Sequence, residues 1–248
     1  MDYIAVMGGM ACNICTSYAD KNKCVQATRI GHVECLRYLH EVEGESLKGV
    51  CMEAVKRGDI SCLKYAHGKV GRLTTTMLIE VLKKGNMECL RYLHENGCPW
   101  HRWTAAVAAK NGHIECLMYA HKNGCPWTDG AFICTAAVCM GNIKCLKYAH
   151  ENGCEWNSAI CTHAATKGYI ECLIYAHKNG CPWDIHTTRG AAENGHLDCL
   201  IYAHIQGCPW DVMTCRNAVH AGNEDIIGYI HAQDNPPCAE GICALKST

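Results

Sequence analysis

Hydrophobic and polar positions recur in phase along the 248-residue chain. One clear copy of the pattern is Glu115-Cys116-Leu117-Met118-Tyr119-Ala120-His121-Lys122-Asn123-Gly124-Cys125-Pro126-Trp127. Taking Cys116 as position zero, positions 0, +1, +4 and +5 are Cys, Leu, Ala or Leu, and His. At about 100° per residue these four share an arc of roughly 140°. Position +2 lies opposite and is Arg37, Lys64, Arg91 and Lys147 in four copies. The spacing predicts a short amphipathic helix with a defined apolar stripe. Asn-Gly at +7 and +8, as in Asn96-Gly97 and Asn179-Gly180, is expected to end it as a C-cap. A second short helix precedes it, as in Thr188–His196, where Ala191 and Ala192 allow close approach and Gly195 stops the helix. Each copy therefore reads as helix, turn, helix and a Cys-Pro-Trp corner, and no segment reads as a strand.

The zero positions are Cys35, Cys62, Cys89, Cys116, Cys145, Cys172 and Cys199, separated by 27, 27, 27, 29, 27 and 27 residues. A further step of 27 reaches Ile226, within the decayed copy Ile226-Ile227-Gly228-Tyr229-Ile230-His231. The longer step places two extra residues in the Thr128-Asp129-Gly130 corner. A period of this size is the signature of a stacked repeat, in which each copy buries its apolar face only against its neighbours. The expectation is one all-α array over residues 1–232, with 1–23 as an irregular N-terminal cap. Residues 233–248 form a C-terminal tail, because Pro236-Pro237 cannot continue a helix.

Composition narrows the class. Net charge is −1, so no global field argues for nucleic acid or an anionic membrane. The N-terminus lacks a basic, apolar signal pattern, and no apolar run is long enough to span a bilayer. The 22 cysteines would suit a disulfide scaffold in a secreted chain. Here seven occupy one repeated core position and five another repeated position, which reads as reduced, buried thiol in a cytosol-like compartment.

Ala108-Ala109-Lys110-Asn111-Gly112-His113-Ile114-Glu115-Cys116-Leu117 and its partner Ala191-Ala192-Glu193-Asn194-Gly195-His196-Leu197-Asp198-Cys199-Leu200 resemble the double-helix core of the ankyrin repeat. The resemblance covers roughly residues 24–231. It implies a right-handed solenoid of about eight helical pairs. The ankyrin period is about 33 residues and opens with a β-turn and Thr-Pro-Leu-His. The period of 27 implies that most of the projecting hairpin is missing and that the Cys-Pro-Trp corner stands in its place. This short, Cys- and Trp-rich form is similar to ankyrin-like proteins of large DNA viruses of amoebae and of some eukaryotic microbes.

Three repeated residue types invite chemistry. Histidine stands at +5 in all eight copies: His40, His67, His94, His121, His150, His177, His204 and His231. Cysteine stands at +9 in five: Cys98, Cys125, Cys154, Cys181 and Cys208. Thiolate and imidazole are zinc ligands, but positions 0 and +5 lie about 7.5 Å apart along the helix and far apart around it. A third ligand from the following copy's first helix, as Cys134, Cys161 or Cys215, is replaced by Ala105 and Thr188 after Cys98 and Cys181. The histidines are therefore expected to donate to loop carbonyls, tying each corner to its helix, with depressed pKa values. Tryptophan at +11 (Trp100, Trp127, Trp156, Trp183 and Trp210) is expected to pack between successive corners. Cys12-Asn13-Ile14-Cys15 with Cys24 is a weak redox or metal pattern. No phosphate loop, nucleophile elbow or zincin motif is present, so no enzyme, cofactor or metal is expected.

A partner surface should lie where copies differ. Positions −9 and −6 of the first helix differ most and share one face. They mark a strip of Gln26, Arg29, Glu53, Lys56, Glu80, Lys83, Lys110, His163, Glu193, Asn217 and His220, which the ankyrin resemblance places on the concave side. A second candidate is an outer apolar patch at +2, from Met118, Ile174 and Ile201. The expected function is a non-enzymatic, cytoplasmic scaffold for protein partners, in a host cytosol if the chain is viral. The alternatives are a structural repeat protein within a larger assembly such as a virion, and a zinc-binding repeat module. No nucleic-acid or membrane partner is expected, and nothing in the sequence sets the oligomeric state.

Overall fold

The computed structural model describes residues 22–127, 130–234 and 236–238. The proposed N-terminal cap with Cys12 and Cys15, the Thr128-Asp129 insertion and the end of the tail lie outside these residues. The described chain is helical throughout, with sixteen helices in eight pairs and, among the described residues, no strand. Its contacts divide it into two compact units, 1–104 with 122–126, and 105–121 with 127–248.

The first unit carries α1 (Lys23–Ile30), α2 (Val33–Glu41), α3 (Val50–Arg57), α4 (Ile60–Val70), α5 (Thr75–Lys84) and α6 (Met87–Glu95). First helices stack on first helices, α1 on α3 and α3 on α5. Second helices do the same, α2 on α4 and α4 on α6. The second unit carries α7 (Thr104–Lys110), α8 (Ile114–Lys122), α9 (Gly130–Val138), α10 (Ile143–Glu151), α11 (Ser158–Lys167), α12 (Ile170–Lys178), α13 (Ile185–Glu193), α14 (Leu197–Ile205), α15 (Val212–Ala221) and α16 (Glu224–His231). Here α9, α11, α13 and α15 form one layer and α10, α12, α14 and α16 the other. Each unit is thus a solenoid of helix-turn-helix repeats.

The apolar stripe read from the sequence is the core. Cys62, Leu63 and Ala66 of α4, and Cys172, Leu173 and Ala176 of α12, are fully buried or nearly so. Burial pushes the Cys116, Cys145 and Cys172 thiols up to about 11, and Cys62 and Cys199 to about 12. At neutral pH these are protonated, inert core thiols. The first helices are capped by side chains where the corner allows. Asp211 accepts from the Met213 and Thr214 amides to start α15 and also pairs with Arg189 of the preceding copy.

In several pairs the inner turn demands glycine twice over. Gly168, after α11, has φ +72°. A Cβ there would also lie 2.5 Å from Nδ1 of His196, which leans across from the next copy. The same relation joins Gly58 to Asn86, whose Nδ2 donates to the Gly58 carbonyl at 3.2 Å. Glycine at this turn therefore sets both the chain reversal and the spacing between copies.

Candidate interaction surfaces

The predicted strip sits on the first helices. Its −6 members, Arg29, Lys56, Lys83, Lys110, Glu193 and His220, are exposed near the helix C-termini. Its −9 members Glu53, Glu80, His163 and Asn217 are half-buried beside them. Gln26 departs from the expectation: it is 8 % exposed, part of the α1 core rather than of a partner face. In the first unit the strip is an ion-pair network. Arg29 Nε meets Glu53 Oε1 at 3.0 Å, Lys56 reaches the same carboxylate at 4.0 Å, and Lys83 meets Glu80 at 3.2 Å. The cationic ends remain half exposed while the carboxylates lie lower between them. A partner would therefore meet ammonium and guanidinium groups first.

The outer apolar patch is not an exposed one. Met118, Ile174 and Ile201 are all half-buried. The reason is visible at the same position in other copies, where the +2 side chain lies over the tyrosine of the following copy. Arg37 stands 5.6 Å above Tyr65, Lys64 5.8 Å above Tyr92, and Lys147 5.4 Å above Tyr175. Position +2 is therefore part of the packing between copies. The exposed large apolar side chains lie elsewhere, with Ile205 at the end of α14 the most exposed at 68 %.

Histidine, tyrosine and tryptophan form a ladder whose rungs the sequence reading misassigned. His40 does meet a loop carbonyl, its Nδ1 lying 2.9 Å from the Glu45 oxygen. In five other copies the partner is the +3 tyrosine of the next copy. Nδ1 of His67, His121, His150, His177 and His204 lies 2.8–3.2 Å from the hydroxyls of Tyr92, Tyr148, Tyr175, Tyr202 and Tyr229. These bonds tie copy to copy, not corner to helix. The rings of His94, His121, His150, His177 and His204 are also covered by the tryptophan of their own corner, with centroids 3.7 Å apart for His177 and Trp183 and 4.6 Å for His94 and Trp100. The expected packing between corners is present as a hydrogen bond. The Trp100, Trp127 and Trp156 indoles donate to the carbonyls of Asn123, Asn152 and Asn179 in the following copies. Burial holds the His177 imidazole below the ordinary histidine range. The signal for this ladder was in the sequence, since tyrosine stands at +3 in all eight copies.

The +9 thiols fold back on the first helix of their own copy rather than meeting that of the following copy, as the zinc alternative would require. Cys154 hydrogen-bonds Cys134, and Cys181 hydrogen-bonds Cys161. Cys181 and Cys208 also reach the carbonyls of Asn157 and Asp184 at 3.3 Å. Within each thiol pair burial and the neighbouring sulfur raise Cys134 and Cys161, and the shared hydrogen bond lowers Cys154 and Cys181. One group gathers three metal-binding side chains: the ligand atoms of Cys215, His231 and Cys238 all lie within 4.8 Å of one another. A groove of about 550 Å³ opens between residues 44–49 and 69–74, lined by His40, Leu47 and Met52 among others.

Among the described residues no helix is long and apolar enough to cross a membrane. No family model and no curated protein matches the sequence. A solved structure, the human ASB11 ankyrin repeat domain, superposes on 61 % of this chain and 80 % of its own, with a TM-score of 0.53 and 18 % identity. The periodic helix pairs and this superposition together show that the chain has the ankyrin-repeat fold.

Proposed function

We propose that the protein is a non-enzymatic scaffold that presents the −6/−9 strip to a protein partner. The observation that carries this reading is the contrast between positions. Core positions repeat from copy to copy, whereas the −6 positions are Arg29, Lys56 and Lys83 in the first unit and Lys110, Cys139, Thr166, Glu193 and His220 in the second. Residues that pack are alike because every copy meets the same neighbour. Residues that differ on a rigid face are free to suit an external one. The basic positions of the first unit suit a partner with acidic groups, and ion pairs such as Arg29–Glu53 hold those cations in fixed positions. The ankyrin-type fold supports protein binding as the general role. A reducing, cytosolic compartment is supported by the free thiols of all nineteen described cysteines.

The test is affinity capture with the full chain and a variant reversed at Arg29, Glu53, Lys56, Glu80 and Lys83. Reversing both signs retains internal pairing, so the helices should survive, which circular dichroism checks. Proteins retained by the wild type and lost by the folded variant support the reading. An unchanged set of bound proteins would reject the strip.

A further inference from the structure

We infer that Cys215, His231 and Cys238 form a binding site for a thiophilic divalent ion of the zinc class, which pins the chain beyond α16 onto α15. The site is separate from the histidine ladder and from the proposed partner strip.

The geometry is that of a ligand set. Cys215 Sγ and His231 Nε2 are 3.5 Å apart. All three ligand atoms, with Cys238 Sγ, lie within 4.8 Å of one another. Ligands bound to zinc at about 2.0–2.3 Å in a tetrahedron sit roughly 3.5–3.8 Å from each other. The set therefore needs only a small contraction around an ion. Two thiolates and one neutral imidazole would cancel the ion's two charges, which suits a site where Cys215 is fully buried and Cys238 is 6 % exposed. His231 is exposed, so the ion has a route from solvent and an open side for a fourth ligand. Sulfur and imidazole nitrogen select zinc-like ions over magnesium or calcium.

The position in the repeat explains why this copy differs. In the four preceding copies the +5 histidine (His121, His150, His177 and His204) turns Nδ1 to the next tyrosine and stacks on its own corner tryptophan, as His177 does with Tyr202 and Trp183. Position −11 then meets the +9 cysteine alone, as Cys161 meets Cys181. The eighth copy has no Cys-Pro-Trp corner: its +9 residue is Asn235, followed by Pro236-Pro237-Cys238. The two prolines carry the chain past the usual corner and return a thiol three residues late. The −11 cysteine, the +5 histidine and this displaced cysteine then converge. Among the described residues this is the one place where three such ligands meet. An ion here would replace the covalent chain path and aromatic packing that the corner supplies elsewhere.

Cobalt(II) and zinc(II) titrations of the reduced full chain test this. The wild type should take up one tetrahedral cobalt ion per chain, displaced by zinc, and zinc should raise its melting temperature. Cys238→Ser and His231→Asn lie at the periphery and should keep the wild-type circular dichroism. Each should weaken cobalt binding by more than roughly a hundredfold and abolish the zinc-dependent melting shift. A Cys134→Ser/Cys161→Ser double variant, which breaks both thiol pairs, should bind as the wild type does. Absence of a tetrahedral spectrum in the wild type would overturn the assignment. So would undiminished binding in Cys238→Ser and His231→Asn, or loss confined to the Cys134/Cys161 variant.

Discussion

At the scale of single residues, the tyrosine hydroxyl is the link that joins one copy to the next. The Tyr202 hydroxyl is hydrogen-bonded with His177 Nδ1 at 2.9 Å, and that imidazole is stacked on Trp183 at 3.7 Å. Removing the hydroxyl by Tyr202→Phe leaves the aromatic area in place but strips a half-buried ring nitrogen of its partner. The expected cost is about 1 kcal/mol, read as a lower midpoint in urea with an unchanged slope. A midpoint equal to wild type would mean that the stack alone holds the ring. Protonation probes the same rung. The His177 imidazole titrates below its unfolded value of about 6.5 because burial disfavours the charged form. Above that value both states are neutral and stability is flat. As pH falls below it, the unfolded chain takes up the proton first, so stability is lost until pH reaches the folded value, where the slope ends. A ring-proton NMR titration placing His177 at or above the unfolded value would contradict this. How much of the ladder was legible follows from its residues. His and Trp were marked by their repetition, and Trp as the bridge between corners followed from its size. Tyr at +3 was equally repeated, but a bond between copies depends on the lateral offset of neighbouring helices, which a single copy's periodicity does not contain.

At the scale of the helix pair, glycine chemistry decides where elements stop. Gly168 ends α11 with φ +72° and would place a Cβ 2.5 Å from His196. Gly168→Ala should therefore destabilise by more than about 1 kcal/mol, through left-handed strain and a displaced neighbour. Gly68 is the control. It lies inside α4, a Cβ there would meet nothing within 4 Å, and its helix runs on to Val70 before Gly71 takes the left-handed cap. Gly68→Ala should stabilise by about 0.5–1 kcal/mol. Thermal melts of the two variants should move in opposite directions, and movement in the same direction would sink the argument. The helix pairs were legible because a 27-residue period exposes both apolar stripes several times over. Register between layers was not. Cys134, Cys161 and Cys215 recur at one offset, and the sequence alone does not say which corner they meet. The chain curls each corner back under its own first helix, as Cys181 shows by reaching the Asn157 carbonyl at 3.3 Å. Gln26 was misplaced for a related reason, since α1 turns it inward at a position that Glu53 and Glu80 occupy half-exposed.

At the scale of the molecule, stability is built from neighbour contacts within each layer. In the second unit α11 packs on α9 and α13, while α12 packs on α10 and α14. Damage should therefore spread along the stack and fade with distance, as in a one-dimensional chain of coupled elements. Leu173 in α12 is fully buried, and Leu173→Ala removes core volume that the tightly packed layers can only partly refill. The local cost should be about 2–5 kcal/mol. Hydrogen exchange should lose most protection in α11 and α12, less in α13 and α14, and least in α15 and α16. The ladder shapes this gradient, because His177 and Tyr202 couple α12 to α14, and His204 and Tyr229 couple α14 to α16. Measured in a Tyr202→Phe background, Leu173→Ala should therefore take less additional protection from α14 and α16 than it does with Tyr202 in place. Equal loss across α9–α16 in both variants would show instead that the second unit opens all at once. The aromatic rungs would then serve local packing without transmitting stability along the stack.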